Sequence, residues 1–135
     1  MDSAVYSCYY IAVKSQVSTL NAPGAPFLSQ AIICNGTIYV SGQIHGKADG
    51  SIVEGTVKEK VEQIMQNISE ILKAADATLD DIVKVVIYVT DMAQMPELNE
   101  VYPAYFNKPF PVREAVCVQA LPLGATIEIS VVAEK

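Results

Sequence analysis

Tryptophan is absent, histidine occurs once, and cysteine occurs three times, at Cys8, Cys34 and Cys117. An odd number of widely spaced cysteines with no C-x-x-C suggests neither a disulfide framework nor a zinc site, and it fits a reducing cytosol. The single histidine, His45, leaves no pair for acid–base cleavage of RNA. Basic residues are scarce as well: nine Lys and Arg against fifteen Asp and Glu give a net charge of −6. That balance disfavours a nucleic acid held through its phosphates. The apolar stretch Tyr6 to Val13 is too short to span a bilayer, lacks a basic flank and follows Asp2, so neither a membrane span nor a targeting peptide is expected. A cytoplasmic address follows, with the mitochondrion as the lesser alternative. No P-loop or dinucleotide fingerprint is present.

What is there is apolar and patterned. Of 135 residues, 51% are hydrophobic, enough for one domain with a real core. Residues 1–17 read as an N-terminal extension, either a short strand at 6–13 or a flexible arm, and 18–135 as a single domain. Ser15 to Pro26, rich in Ser, Asn, Gly and Pro, reads as loop. Asn35-Gly36 joins the apolar runs 31–34 and 37–41, the strongest short hairpin signal. Asn35-Gly36-Thr37 is also a glycosylation sequon, but the turn reading is preferred. Thr56 and Glu59 have capping-box spacing ahead of a five-turn amphipathic helix over 57–75. The β-branched run 82–90 predicts a strand covered on both faces. Leu98, Val101, Tyr102, Tyr105 and Phe106 predict a second, shorter helix, with Pro96 in its first turn and Pro103 ending or kinking it.

Two further strand-like runs flank Leu121-Pro122-Leu123-Gly124, and they read as a hairpin spanning 110–133. In the second, Ala125, Ile127, Ile129, Val131 and Ala133 alternate with Thr126, Glu128 and Ser130. In the first, Val116, Val118 and Ala120 form the apolar set, with Arg113, Ala115, Cys117 and Gln119 opposite. A simple hairpin pairs Ala120 with Ala125 and sets Glu128 across from Cys117, with Arg113 roughly 13 Å away. The predicted order is β-β-α-β-α-β-β, an α+β sheet with helices on one face. The other face, carrying Ala115, Cys117 and part of 82–90, is too apolar for a monomer. A homo-oligomer with facing sheets is therefore expected.

Arg113 reads either as a bidentate carboxylate clamp or as a surface arginine solvating a strand end. Glu128, between two isoleucines, is either on an exposed face or a costly charge that needs a partner or a proton. One chain or two can supply the pair. His45 is a conceivable general base, although no serine or cysteine nucleophile has a recognisable setting. Cys34 and Cys117 read as small buried hydrophobes.

Ser41-Gly42-Gln43-Ile44, Asp81-Ile82-Val83-Lys84, Asn99 with Tyr102 and Phe106, Pro111-Val112-Arg113, Leu121-Pro122 and Ile127-Glu128-Ile129 resemble the Rid/YjgF family, in the same order and from about Asn21 to the end. The resemblance implies a chorismate-mutase-like α+β fold with a mixed sheet. It also implies a homotrimer whose sheets face a central barrel, with clefts between subunits. The implied activity is hydrolysis of reactive 2-imino or enamine acids, released by pyridoxal-phosphate dehydratases, to 2-keto acids and ammonia, with no cofactor. By the same resemblance Arg113 matches the carboxylate-binding arginine and Glu128 the glutamate that positions water or handles protons. Gly42 and Asn99 match cleft-lining positions, and Ser41, Phe27 and Ala115 fall beside them as substrate-binding candidates.

The chain departs from that pattern at three places. Phe27 stands where the family has a tyrosine, Ala115 replaces a cleft cysteine and Glu114 replaces a serine. Thiol chemistry is thereby disfavoured, whereas attack by water needs no thiol. The alternatives are a non-catalytic small-carboxylate-binding or chaperone-like trimer, an endoribonuclease, and an enzyme for a pathway-specific imine or enamine.

Overall fold

The structure, a computed structural model, describes residues 13–135. Cys8 and the strand expected at 6–13, apart from Val13, lie outside them. Among the described residues six strands form one mixed sheet: β1 (Ser15–Val17), β2 (Ala31–Cys34), β3 (Thr37–Ile44), β4 (Ile82–Val89), β5 (Val112–Cys117) and β6 (Ile127–Glu134). Their spatial order is β1-β2-β3-β6-β4-β5. Two helices, α1 (Val57–Ala74) and α2 (Met95–Val101), cover one face.

Several local signals act as read. Asn35 and Gly36 have φ of 52° and 80°, the paired left-handed conformations of a type I′ turn between β2 and β3. The Thr56 hydroxyl caps α1 by accepting from the Glu59 amide at 3.2 Å. Val61, Ile64, Met65, Ile68, Ile71 and Leu72 form the inner stripe of α1, packed in one core with Ile38, Val85, Ile87 and Ile129 of the sheet. Pro96 lies in the first turn of α2, and the α-helix stops at Val101, where Pro103 tightens the chain into a 3₁₀ turn over Tyr102–Tyr105.

Three expectations fail. Ser15–Val17 is not loop: it pairs antiparallel with Ala31–Ile33 as an edge strand. The larger correction is that 110–133 is not a hairpin. β5 runs parallel to β4, reached by a crossover through α2, and β6 is inserted between β3 and β4. Parallel neighbours need such a crossover, so Ala120 and Ala125 are not a turn pair and Glu128 does not face Cys117.

Register then fixes the faces, because residues opposite one another in neighbouring strands point the same way. Val85, Ile87 and Val89 are buried toward the helices, and they stand beside Arg113, Ala115 and Cys117 of β5. Those three therefore lie on the helix side, the reverse of the expected parity. The open face carries Ile32, Tyr39, Val86, Tyr88, Val116, Val132 and Glu128, with Tyr39 52% exposed.

The loop before β2 is organised by buried Gln30. Its carbonyl oxygen accepts from the Thr19 amide at 2.7 Å, and its Nε2 donates to the carbonyls of Thr19, Ala22 and Pro23 at 3.1, 3.1 and 2.9 Å. Replacing it would orphan several backbone groups at once. We expect Gln30→Ala to cost about 2 kcal/mol in urea unfolding; an unchanged midpoint would show that water satisfies this loop.

Candidate active site

Arg113 sits on β5, at the edge of the sheet, with no described strand on its outer side. Its Cζ lies 4.9 Å from the centroid of the Tyr102 ring, a cation–π contact. Among the described residues no carboxylate pairs with it; the ion pair on this strand joins Glu114 to Lys84, 3.9 Å apart on the opposite face. A guanidinium with its planar fork of donors unspent is suited to an incoming carboxylate. Tyr102 is 7% exposed and its ring stacks at a tilt on Phe106, with centroids 4.8 Å apart. Burial pushes the phenol pKa up, and the Arg113 charge pulls it part of the way back.

Glu128 lies on the other side of the sheet. It is opposite Tyr88 on β4 and Ile44 on β3, half-buried and without an ion-pair partner among the described residues. Burial raises its pKa above the usual carboxylate value. A bulge in β3 between Val40 and Gln43 makes room for it. A Cβ placed on Gly42 would come within 2.8 Å of Glu128 Oε2 and 2.9 Å of its Cδ. Glycine at this position leaves the carboxylate room to lie across the bulge, and a larger residue would push it aside. Ser41, in the same bulge, is tied to the loop before β2: its hydroxyl donates to the Ser29 carbonyl at 2.6 Å and its amide to the Gln30 carbonyl at 2.9 Å. Phe27, two residues before Ser29, is 85% exposed.

Two half-sites result within one chain. Arg113 and Ala115 share the helix side, and exposed Asn99 lies on α2 one helical turn before Tyr102. Glu128 and Gly42 share the open side. Register places the Arg113 and Glu128 Cα atoms three residues along and two strands across, roughly 14 Å apart and on opposite faces. A single chain does not bring them together. Tyr102 is the site residue that the sequence reading placed in a helix stripe and in a family-like motif with Asn99 and Phe106 but gave no role in the site; its spacing of three from Asn99 was the local signal.

His45 is not a free base. It is 1% exposed, and both ring nitrogens are spent: Nδ1–H donates to the Val53 carbonyl at 2.8 Å, and Nε2 accepts from the Thr126 amide at 3.0 Å. The partners fix that tautomer, since a carbonyl can only accept and an amide N–H only donate. Lys60 Nζ donates to the Thr126 hydroxyl at 3.0 Å and Gln94 Nε2 to its carbonyl at 3.2 Å, so Thr126 ties several elements to the start of β6. Neither Cys34 nor Cys117 is fully buried, and Cys117 is exposed, contrary to the reading of both as buried hydrophobes.

A small α+β protein with two helices on one face of a mixed sheet, an arginine free for an anion at the sheet edge and a carboxylate on the open face is the class defined here. The chain belongs to the Rid/YjgF family. The family model described as Endoribonuclease L-PSP matches residues 19–135. The human protein named 2-iminobutanoate/2-iminopropanoate deaminase is 42% identical over 124 residues, 90% of each chain. The yeast protein named MMF1, mitochondrial, is 41% identical over 124 residues, covering 91% of this chain and 86% of that one. A solved Yersinia pestis protein of the conserved Rid family, titled as of unknown function, superposes with a TM-score of 0.88 at 41% identity, over 91% of this chain and all of that one.

Burial holds the His45 pKa below its ordinary 6.5; the Val53 carbonyl opposes this and the Lys60 charge adds to it. The unfolded chain thus takes up the proton first as pH falls. The contribution of His45 to stability is complete above about pH 6.5 and declines on acidification below it. Glu128, with its raised pKa, works in the opposite sense, losing stability as pH rises. The His45 effect therefore appears in the difference between wild type and His45→Gln. We expect their unfolding free energies, measured in urea from pH 7.5 to 5, to converge toward acid. A constant gap would rule out titration of His45.

Proposed function

We propose that the chain hydrolyses 2-imino and enamine acids to 2-keto acids and ammonia, in clefts between copies of a homotrimer. The observation that carries this reading is the unspent Arg113 guanidinium, stacked on Tyr102 at the sheet edge with no carboxylate partner among the described residues. The name of the 42%-identical human relative supports the activity. The half-exposed apolar residues of the open face support association, since apolar sheet of this kind favours burial against another copy. Because Arg113 and Glu128 of one chain lie on opposite faces, the proposed cleft takes Arg113 from one copy and Glu128 from the next.

In that cleft Arg113 binds the substrate carboxylate with two parallel hydrogen bonds. The imine carbon at C2 is already electrophilic, so orientation and delivery of water suffice and no cofactor is required. Glu128 accepts a proton from water as it adds to C2 and returns it to the nitrogen. Glu128 next moves the proton of the new C2 hydroxyl to the amino group; the carbon–nitrogen bond breaks, ammonia leaves and the C2 carbonyl forms. A carboxylate whose pKa is raised toward neutrality suits both transfers. Ala115 supplies no thiol beside Arg113, consistent with attack by water. The apolar Phe27 and Ala115 would also suit a binder of small carboxylates that does not turn over. Cleavage of RNA, the activity in the family model's description, is less well served: the chain's one histidine has both nitrogens engaged and the net charge is −6.

We place the protein in the cytosol, where free thiols such as Cys34 and Cys117 persist; the yeast relative's mitochondrial name makes that organelle the rival address. Imines made in situ by an amino-acid oxidase provide the test. We expect the wild type to accelerate keto-acid and ammonia release well above buffer, and Arg113→Ala to lower kcat/KM by about a hundredfold while the assembly stays intact. Wild-type rates equal to buffer would end the deaminase reading, and keto-acid binding without turnover would favour the binder.

A further inference from the structure

Arginine has many rotamers, and holding it in one costs side-chain entropy. On an edge strand, with no ion pair and no hydrogen bond among the described residues, little but Tyr102 limits how the Arg113 guanidinium is presented. Tyr102 is itself fixed. It is buried at the junction where α2 gives way to the 3₁₀ turn, and its ring packs on Phe106. Its hydroxyl is buried with no hydrogen-bond partner among the described residues. A buried unpaired hydroxyl is a cost, so the contribution of this residue must come from its ring. The ring is packed in the core beside Phe106, and the guanidinium lies over its face.

We propose that Tyr102 is the positioning residue of the anion site: its ring face holds the Arg113 guanidinium in the orientation that receives a carboxylate. The carboxylate part of this inference rests on the proposed function; the holding of Arg113 does not. Tyr102 touches no substrate and acts through Arg113 alone. Its removal should weaken ground-state binding and leave the chemical step unaltered, whereas general loosening of the fold would lower both.

Three versions of position 102 separate these roles. Tyr102→Phe keeps the ring and removes the orphan hydroxyl. Tyr102→Leu removes the ring. Pentafluorophenylalanine at position 102 keeps the ring's shape and reverses its charge distribution, which covers the case in which Tyr102→Leu fails to fold. Two readouts are compared: the NMR shift of the Arg113 Nε–H in the free protein, displaced by an aromatic ring lying against it, and the Kd for 2-oxobutanoate, alongside KM and kcat for imines generated in situ. In Tyr102→Phe we expect the displaced shift to persist, the Kd to stay within about twofold of wild type and the melting temperature to hold or rise. In the other two we expect the Arg113 signal to change and Kd and KM to rise about tenfold, with kcat altered less than twofold.

An Arg113 signal and a Kd that are the same with tyrosine and with pentafluorophenylalanine would overturn the inference. So would a loss of kcat as large as the rise in KM. If 2-oxobutanoate fails to bind the wild type while the Arg113 signal still depends on the ring at 102, the carboxylate reading falls and the positioning of Arg113 stands.

Discussion

A strand has two faces, and in this chain β6 is paired on both edges, between β3 and β4. The rest of the structure depends on that placement. Ile127, Ile129, Val131 and Ala133 are directed under the helices, where they complete the core. The same period of two puts Glu128 on the opposite face, and no local change can reverse this without turning four buried residues outward. Because β6 occupies the centre, β5 is displaced to the edge beyond β4. Its parallel register turns Arg113 to the helix side.

The two residues with the most chemical potential are thus held apart by the feature that stabilises the fold. Each half-site is nevertheless prepared locally. On one side Arg113 rests on a ring that the core immobilises. On the other, the β3 bulge and Gly42 leave room for a carboxylate whose burial favours its protonated form. The open face that carries Glu128, with Tyr39, Tyr88, Val86, Val116 and Val132, has no described residue of the chain over it. A second copy placed there would bury apolar area and join the halves in one step, so in our reading assembly and activity share a cause.

Much of this was legible in the residues. The Asn-Gly turn, the cap and stripe of α1, the stop at Pro103 and the alternation in β6 are local signals, and they act locally. Strand pairing is not local. Leu121-Pro122-Leu123-Gly124 has the composition of a hairpin turn, and consecutive strands often pair, so reading 110–133 as a hairpin followed the usual tendency. The contrary signal was present in the strand–helix–strand succession 82–117, the pattern of a parallel crossover, but nothing in the residues says that β6 then returns to the middle. The parity of Arg113 failed for the same reason: a mixed run such as Val112 to Cys117 shows no clear apolar side, and its facing is set by its neighbour β4. His45 looked like a candidate base because its two hydrogen-bond partners lie 8 and 81 residues away. The resemblance to the Rid/YjgF family, in contrast, rested on short motifs and needed no topology.

The central claim is that one working site is built from two chains, Arg113 from one and Glu128 from the next. Subunit mixing tests it most directly. Arg113→Ala and Glu128→Ala proteins are each purified, confirmed to be inactive on imines, unfolded together in equal amounts and refolded. In a closed ring of three, a site between unlike subunits of the correct order has both residues intact, so random mixing should restore roughly a quarter of wild-type activity. Each variant refolded alone should remain inactive. Mixed assemblies with no recovered activity would contradict a shared site and return Arg113 and Glu128 to separate roles within each chain.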